Sequence, residues 1–220
     1  ISLIGGNINL DRGLITAPGG KVELGGLAAP GMIAIDEDSS FSFPQEVAKA
    51  DITLSNGAVT NVRSTGGGNI TINARNLDLT ASSFLKAGIN QDSTSNSAQA
   101  GDIVINVTDD LTLDQSRITN QVNQDGVGNS GNINVITGSL ETTNGGLIDA
   151  STFGQGNAGL VEITANDTIS IDGENADGSS SLISSRVEAG AEGNAEGVNI
   201  STDNLTVTDG GYIDASTFGQ

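Results

Sequence analysis

The sequence predicts an all-β chain wound as one parallel solenoid, and three observations predict it. Short β-branched alternations recur between Gly, Asn, Asp and Ser clusters, with no amphipathic helical stretch of useful length. The alternations return at a steady interval. Finally, a ten-residue phrase, "GLIDASTFGQ" at 146–155, is written again as "GYIDASTFGQ" at 211–220, with small and polar residues kept as faithfully as apolar ones.

The first strand of each period opens on "GNITI", "GDIVI", "GNINV", "GLVEI" or "EGVNI", which puts Ile70, Ile103, Ile133, Val161 and Val198 in one register position at spacings of 33, 30, 28 and 37. A second strand follows with Leu77 and Leu79, Leu111 and Leu113, Leu140, Ile169 and Ile171, then Leu205 and Val207. A third carries Leu85, Ile118, Ile148, Val187 and Ile213. Three short strands per period, apolar inward and polar outward, make one coil of a parallel β-helix. In such a stack each residue lies about 4.8 Å above its counterpart, so a coil that works can be reused, and the doubled phrase is accounted for. In this register the coil between the two copies places Val187, Glu188 and Ala189 where Ile148, Asp149 and Ala150 stand. Ala150 suits a tight corner, and Gly154 and Gly156 suit a turn with positive φ.

The expected architecture is a single-stranded, right-handed parallel β-helix of roughly seven coils, about 34 Å long. Residues 63–220 hold the repeats of about 32 residues, and residues 1–62 hold shorter, irregular coils nearer 20 residues. Together 1–220 form one continuous β-helix, expected to be a fragment of a longer protein because it starts in mid-pattern and stops in mid-motif. Segments 88–101 and 172–181 are polar and lengthen the period, as projecting turns do. Segment 37–50 breaks the pattern with two of the five Phe and is expected to cover one side or end.

Glycine is 31 of 220 residues, aromatics are 3 %, and Trp, Cys and His are absent. A core of large rings, a disulfide and a thiolate metal site are thereby excluded. The net charge of −19, from 27 acidic and 8 basic residues, argues against nucleic acid and anionic membrane surfaces, since little here could neutralise a run of phosphates. No window approaches the length of a membrane-spanning apolar helix, so membrane insertion is not expected.

The stretch "GGNINLDRGLITAPGGKVEL" at 5–24 resembles the closing part of the haemagglutination-activity domain of two-partner-secretion exoproteins, the filamentous haemagglutinin family. Gly13, Leu14, Ile15, Thr16, Ala17, Pro18, Gly19 and Gly20 carry the phrase, and "GGNITINARNLDL" and "IDASTFGQGNAG" look like the repeats that follow it. The resemblance implies a right-handed β-helix, export through an outer-membrane transporter partner, and a secreted or cell-surface life in a Gram-negative bacterium. It also implies adhesion to glycans or proteins of host or neighbouring cells. The expected function is therefore a structural rod segment of an adhesin, not an enzyme. Rival readings are a pectin-lyase-like enzyme acting on polysaccharide, which shares the fold, and the stalk of a secreted toxin or haemolysin.

No catalytic, cofactor-binding or metal-binding residue is assigned. The five arginines, Arg12, Arg63, Arg75, Arg117 and Arg186, fall on different strands or turns. Asp149, Glu188 and Asp214 are expected as an outward ladder on successive coils, either a row of divalent-cation ligands or solvated positions. The solvated reading leads, because Lys86 and Thr119 hold the same place in earlier coils. "DGENADG" at 172–178 fails the calcium-loop frame at Ala176 and Ile183. "IDEDSS", with Asp36, Glu37 and Asp38, reads as a solvated turn, and "GGGN" as turn chemistry with no phosphate cradle. Asn69, Asn132, Asn157 and Asn194 are expected to bond the backbone from coil to coil, and Phe153 and Phe218 to stack near a corner.

Overall fold

A computed structural model describes residues 1–35, 41–44 and 47–219. Its strands form three parallel sheets of seven strands each. The first sheet stacks Ser2–Gly5, Lys21–Gly26, Asn69–Ala74, Ile103–Val107, Ile133–Thr137, Val161–Ala165 and Val198–Ser201. The second stacks Ile8–Asp11, Ile52–Ser55, Leu77–Leu79, Asp110–Asp114, Ser139–Thr143, Thr168–Asp172 and Asn204–Thr208. The third stacks Leu14–Thr16, Val59–Asn61, Phe84–Ile89, Arg117–Val122, Leu147–Asp149, Leu182–Ser184 and Tyr212–Asp214. Each coil contributes one strand to each sheet in chain order, so the molecule is a parallel β-helix of seven coils.

The register follows the apolar periodicity. Ile70, Ile103, Ile133, Val161 and Val198 pair in sequence along the first sheet, and the column extends back to Val22. Leu77, Leu111, Leu140, Ile169 and Leu205 make a second column, which reaches Ile52 and Ile8. Nearly all these side chains are fully buried in one continuous core, because a one-residue slip would turn every one of them to solvent. Two threonines interrupt the aliphatic columns. Thr60 stands between Ile15 and Leu85, and Thr142 between Leu113 and Ile171; both are buried and both hydroxyls lack a partner.

The third column differs from the expected one at a single coil. Ile148 pairs with Ile183, and Ile183 with Ile213, so Val187 is not the core residue of that strand. Val187 instead bridges Thr152 and Thr217, four residues further along. The physical cause is that "SLIS" after the polar loop, not "RVEA", supplies the inward residue, and Leu182–Ile183 repeats Leu147–Ile148.

Coil lengths follow the insertions. Ser2 pairs with Glu23, a first coil of about 20 residues, whereas Val22 pairs with Ile70 because an insertion leaves the second coil after Gly26 and rejoins it at Ile52. Part of that insertion, Ala34–Ile35 with Phe41–Ser42, forms a small antiparallel pair. Residues 36–40, which hold all of the "IDEDSS" turn after Ile35 and the start of segment 37–50, lie outside the described residues, as do 45–46 within that segment. The stretch 173–180 projects and is largely exposed, while Ser181 is buried and anchors it by donating to the Asp172 carbonyl at 2.7 Å. The other expected projection is more ordered: Gly88 and Ile89 belong to the third sheet, and Thr94–Gln99 pairs with Val127–Asn129 as a short fourth face.

Candidate functional site on the outer face of the third sheet

Sheet alternation assigns the outward positions of the third sheet to rows. In the fourth coil Ile118, Asn120 and Val122 point inward, while Arg117, Thr119 and Gln121 point outward. Asn120 is wholly buried and donates to the carbonyls of Gly101 at 2.8 Å and Asn132 at 3.2 Å, which divides the main core from a small one of Ile89, Ala100 and Val122. Past this point coil-to-coil bridges continue at Val122–Thr152, Thr152–Val187 and Val127–Gln155. Thr119, Asp149, Ser151 and Ser184 face outward yet are buried.

The expected acidic ladder is therefore corrected in two respects. One outward row runs Lys86, Thr119, Asp149, Ser184, Asp214, so the coil between Asp149 and Asp214 contributes Ser184, not Glu188. Glu188 belongs to the row of Phe153 and Phe218, as backbone bonds from Phe153 to Val122, Glu188 to Thr152 and Phe218 to Val187 show. Nor is Asp149 solvated: its carboxyl accepts hydrogen bonds from the Ser151 hydroxyl, the Gln121 amide and, at 2.6 Å, the Ser184 hydroxyl. Among the described residues no group of three or more acidic side chains is placed to hold a metal ion.

The second copy of the phrase repeats the device. Asp214 accepts from the Ser216 amide at 2.9 Å and hydroxyl at 2.5 Å. Polar residues are repeated with the apolar ones because Asp-Ala-Ser ties the strand exit into the bend. Arg186 joins this copy, with Nη2 2.7 Å from Glu188 Oε1 and Nη1 3.6 Å from Asp214 Oδ2. Burial alone would raise the Asp214 carboxyl, but the Ser216 bonds and Arg186 outweigh it and hold it below its ordinary value.

Beside the row lies a cleft of about 420 Å³ whose walls include Phe153, Gln155, Glu188 and Asp125. Phe153 and Phe218 occupy equivalent places but do not stack, because Glu188 stands between them and both rings are substantially exposed. Gly156 does adopt positive φ, 131°, whereas Gly154 serves by close approach, since a Cβ there would overlap the Gly126 carbonyl.

The asparagines act on the backbone. The side-chain oxygens of Asn69, Asn132 and Asn157 accept from the amides of Asp102, Leu160 and Asn194 in the following coil at 2.9 to 3.0 Å. Asn194 receives such a bond and donates its own amide to Asn157 at 3.3 Å. In the loop, Asn175 caps the amides of Asp177 and Ser179.

The insertion builds a second cleft of about 460 Å³ against the first sheet, between Phe43, Val47, Lys49, Arg75 and Asp109. Phe43 seats over Gly25, where any Cβ would overlap its ring. Lys49 donates to the Asn106 carbonyl at 3.2 Å, and burial pushes its amine below the ordinary lysine value. At the rim, Arg75 donates to both oxygens of Asp51 at 2.8 and 2.5 Å and holds that carboxyl below its usual range.

No family model, curated protein or solved structure matches this chain. No helix of the described residues is long and apolar enough to cross a membrane.

Proposed function

We propose that this chain is a rod segment of a secreted or cell-surface adhesin of the haemagglutinin-like exoprotein kind, exported by two-partner secretion. The observation that carries the reading is the stack itself: three parallel sheets of seven strands close around one apolar core, and the insertions fall between strands, in the turns. Such a stack transmits position along its length and presents its turns sideways, as a display rod requires. The phrase at 5–24 supports the exoprotein assignment, and its strands Ile8–Asp11, Leu14–Thr16 and Lys21–Gly26 lie in the same three sheets as the later repeats. In this role the partners are an outer-membrane transporter and the glycans or proteins of a facing cell.

The test is surface labelling. Antibody raised against the purified chain is expected to label intact, unpermeabilised cells or to find the protein in the culture supernatant, and deletion of the outer-membrane transporter should abolish both. Labelling only after permeabilisation would overturn the proposal. Release of unsaturated sugars from a polyuronide by the purified chain would replace it with the polysaccharide-active alternative.

A further inference from the structure

Three of the eight basic residues lie on one diagonal of the outer third sheet. Lys86 pairs in register with Asn61 on one side and Thr119 on the other. Arg63 stands two residues after Asn61, and Arg117 two residues before Thr119. One coil and two residues per step put neighbouring Cα atoms about 8 Å apart. Inward Val62, Ala87 and Ile118 alternate with the three cations, so all three point outward from the same face.

None of the three has a counter-ion among the described residues. Among the described residues no carboxylate oxygen lies within 4 Å of Arg63, Lys86 or Arg117, although the chain has 27 acidic residues from which to supply one. Arg63 and Lys86 are half-buried, and the Arg63 Nε, like that of Arg186, is a buried donor with no acceptor. Lys86 is held over the Phe84 ring, with Nζ 4.1 Å from its centre. Burial, then the charges of Arg63 and Arg117, push the Lys86 amine below its ordinary value, and burial lowers Arg63 likewise. Arg186 provides an internal comparison: it lies on the same outer face and meets two carboxylates there. The fold thus knows how to neutralise a cation on this face and does not do so at the diagonal.

We propose that Arg63, Lys86 and Arg117 form a binding site for a doubly charged tetrahedral oxyanion, a sulfate or phosphate group carried free or as a monoester. Guanidinium groups offer paired donors in a plane, the ammonium offers a point charge between them, and a divalent oxyanion accepts from all three while cancelling their mutual repulsion. The proposal does not depend on export or adhesion.

The test is titration of the isotope-labelled chain, followed by amide and side-chain NMR, with inorganic sulfate, inorganic phosphate, glucose 6-sulfate and glucose 6-phosphate at constant ionic strength. Saturable shifts centred on Arg63, Lys86 and Arg117 are expected, and Lys86→Gln or Arg63→Gln should weaken binding about tenfold or more, as loss of a charge-assisted bond does. Thr119→Asp should abolish binding by placing a carboxylate beside Lys86, and the position accepts one because Asp149 occupies it a coil later. Tighter binding of the sugar esters assigns the site to an ester, and tighter binding of the inorganic ions to free anion. Absence of saturable shifts would overturn the proposal. So would a Lys86→Gln or Thr119→Asp variant that keeps its native spectrum and binds as well as the parent.

Discussion

Two threonines sit where the columns call for an aliphatic residue, and a hydroxyl there has nothing to bond. Thr60 and Thr142 are buried, with Oγ1 unpartnered, between apolar neighbours above and below. Valine keeps the shape and removes the orphan, so Thr142→Val and Thr60→Val should each stabilise the fold by about 1 kcal/mol in a urea titration. Asp149 is the opposite case, a buried polar group fully used. Asp149→Ala strands the Ser151 and Ser184 hydroxyls and the Gln121 amide and should cost about 3 kcal/mol. Asp214→Ala, in the more open last coil, should cost less than half of that; equal losses would mean that the bend itself, not burial of its donors, sets the cost.

At the scale of elements, first and second strands were legible in the sequence because both faces of the pattern agree: aliphatic residues at fixed offsets, polar ones between. The third strand was legible only where no loop preceded it. After 172–181, "RVEA" resembles "LIDA" in its order of β-branched aliphatic, acid and Ala, but "SLIS" takes the core position, and that slip carried Glu188 into the wrong row. Burial of Asp149 was illegible for another reason. Alternation tells inward from outward and cannot announce that Gln121, Ser151 and Ser184 will cover an outward carboxylate. The cationic diagonal is equally hidden, since its members are 23 and 31 residues apart and offset by two positions per coil. The loop itself gives the test of this scale. Deleting 174–180, which is largely exposed and touches the neighbouring coils only near Gly145 and Gly210, and keeping the Asp172–Ser181 bond should preserve a cooperative melt with a loss below about 1 kcal/mol. A broad, non-cooperative transition would show that the loop supports the coils beside it.

The 220-residue chain has first and last coils built from the same columns. In the last coil Leu205, Val207 and Ile213 are 47, 41 and 37 % exposed, although their counterparts one coil earlier are buried. In the first coil Ile1 and Leu3 are 56 and 39 % exposed, and Leu3 heads the column that ends at Ile200. A second copy placed head to tail would continue the columns and pair the open strand edges, and because the contact is heterologous it would not close but propagate. The opposing force is charge, −19 on each copy. At ~0.15 M salt its reach falls to about 8 Å, shorter than the rod, so the 220-residue chain is expected to be monomeric at low salt and to form linear oligomers as salt rises. Light scattering across a salt series measures this, with Leu205→Lys and Val207→Lys expected to keep the chain monomeric throughout. Oligomers that appear at low salt and dissolve at high salt would mean that opposite charges, not open columns, bring the copies together.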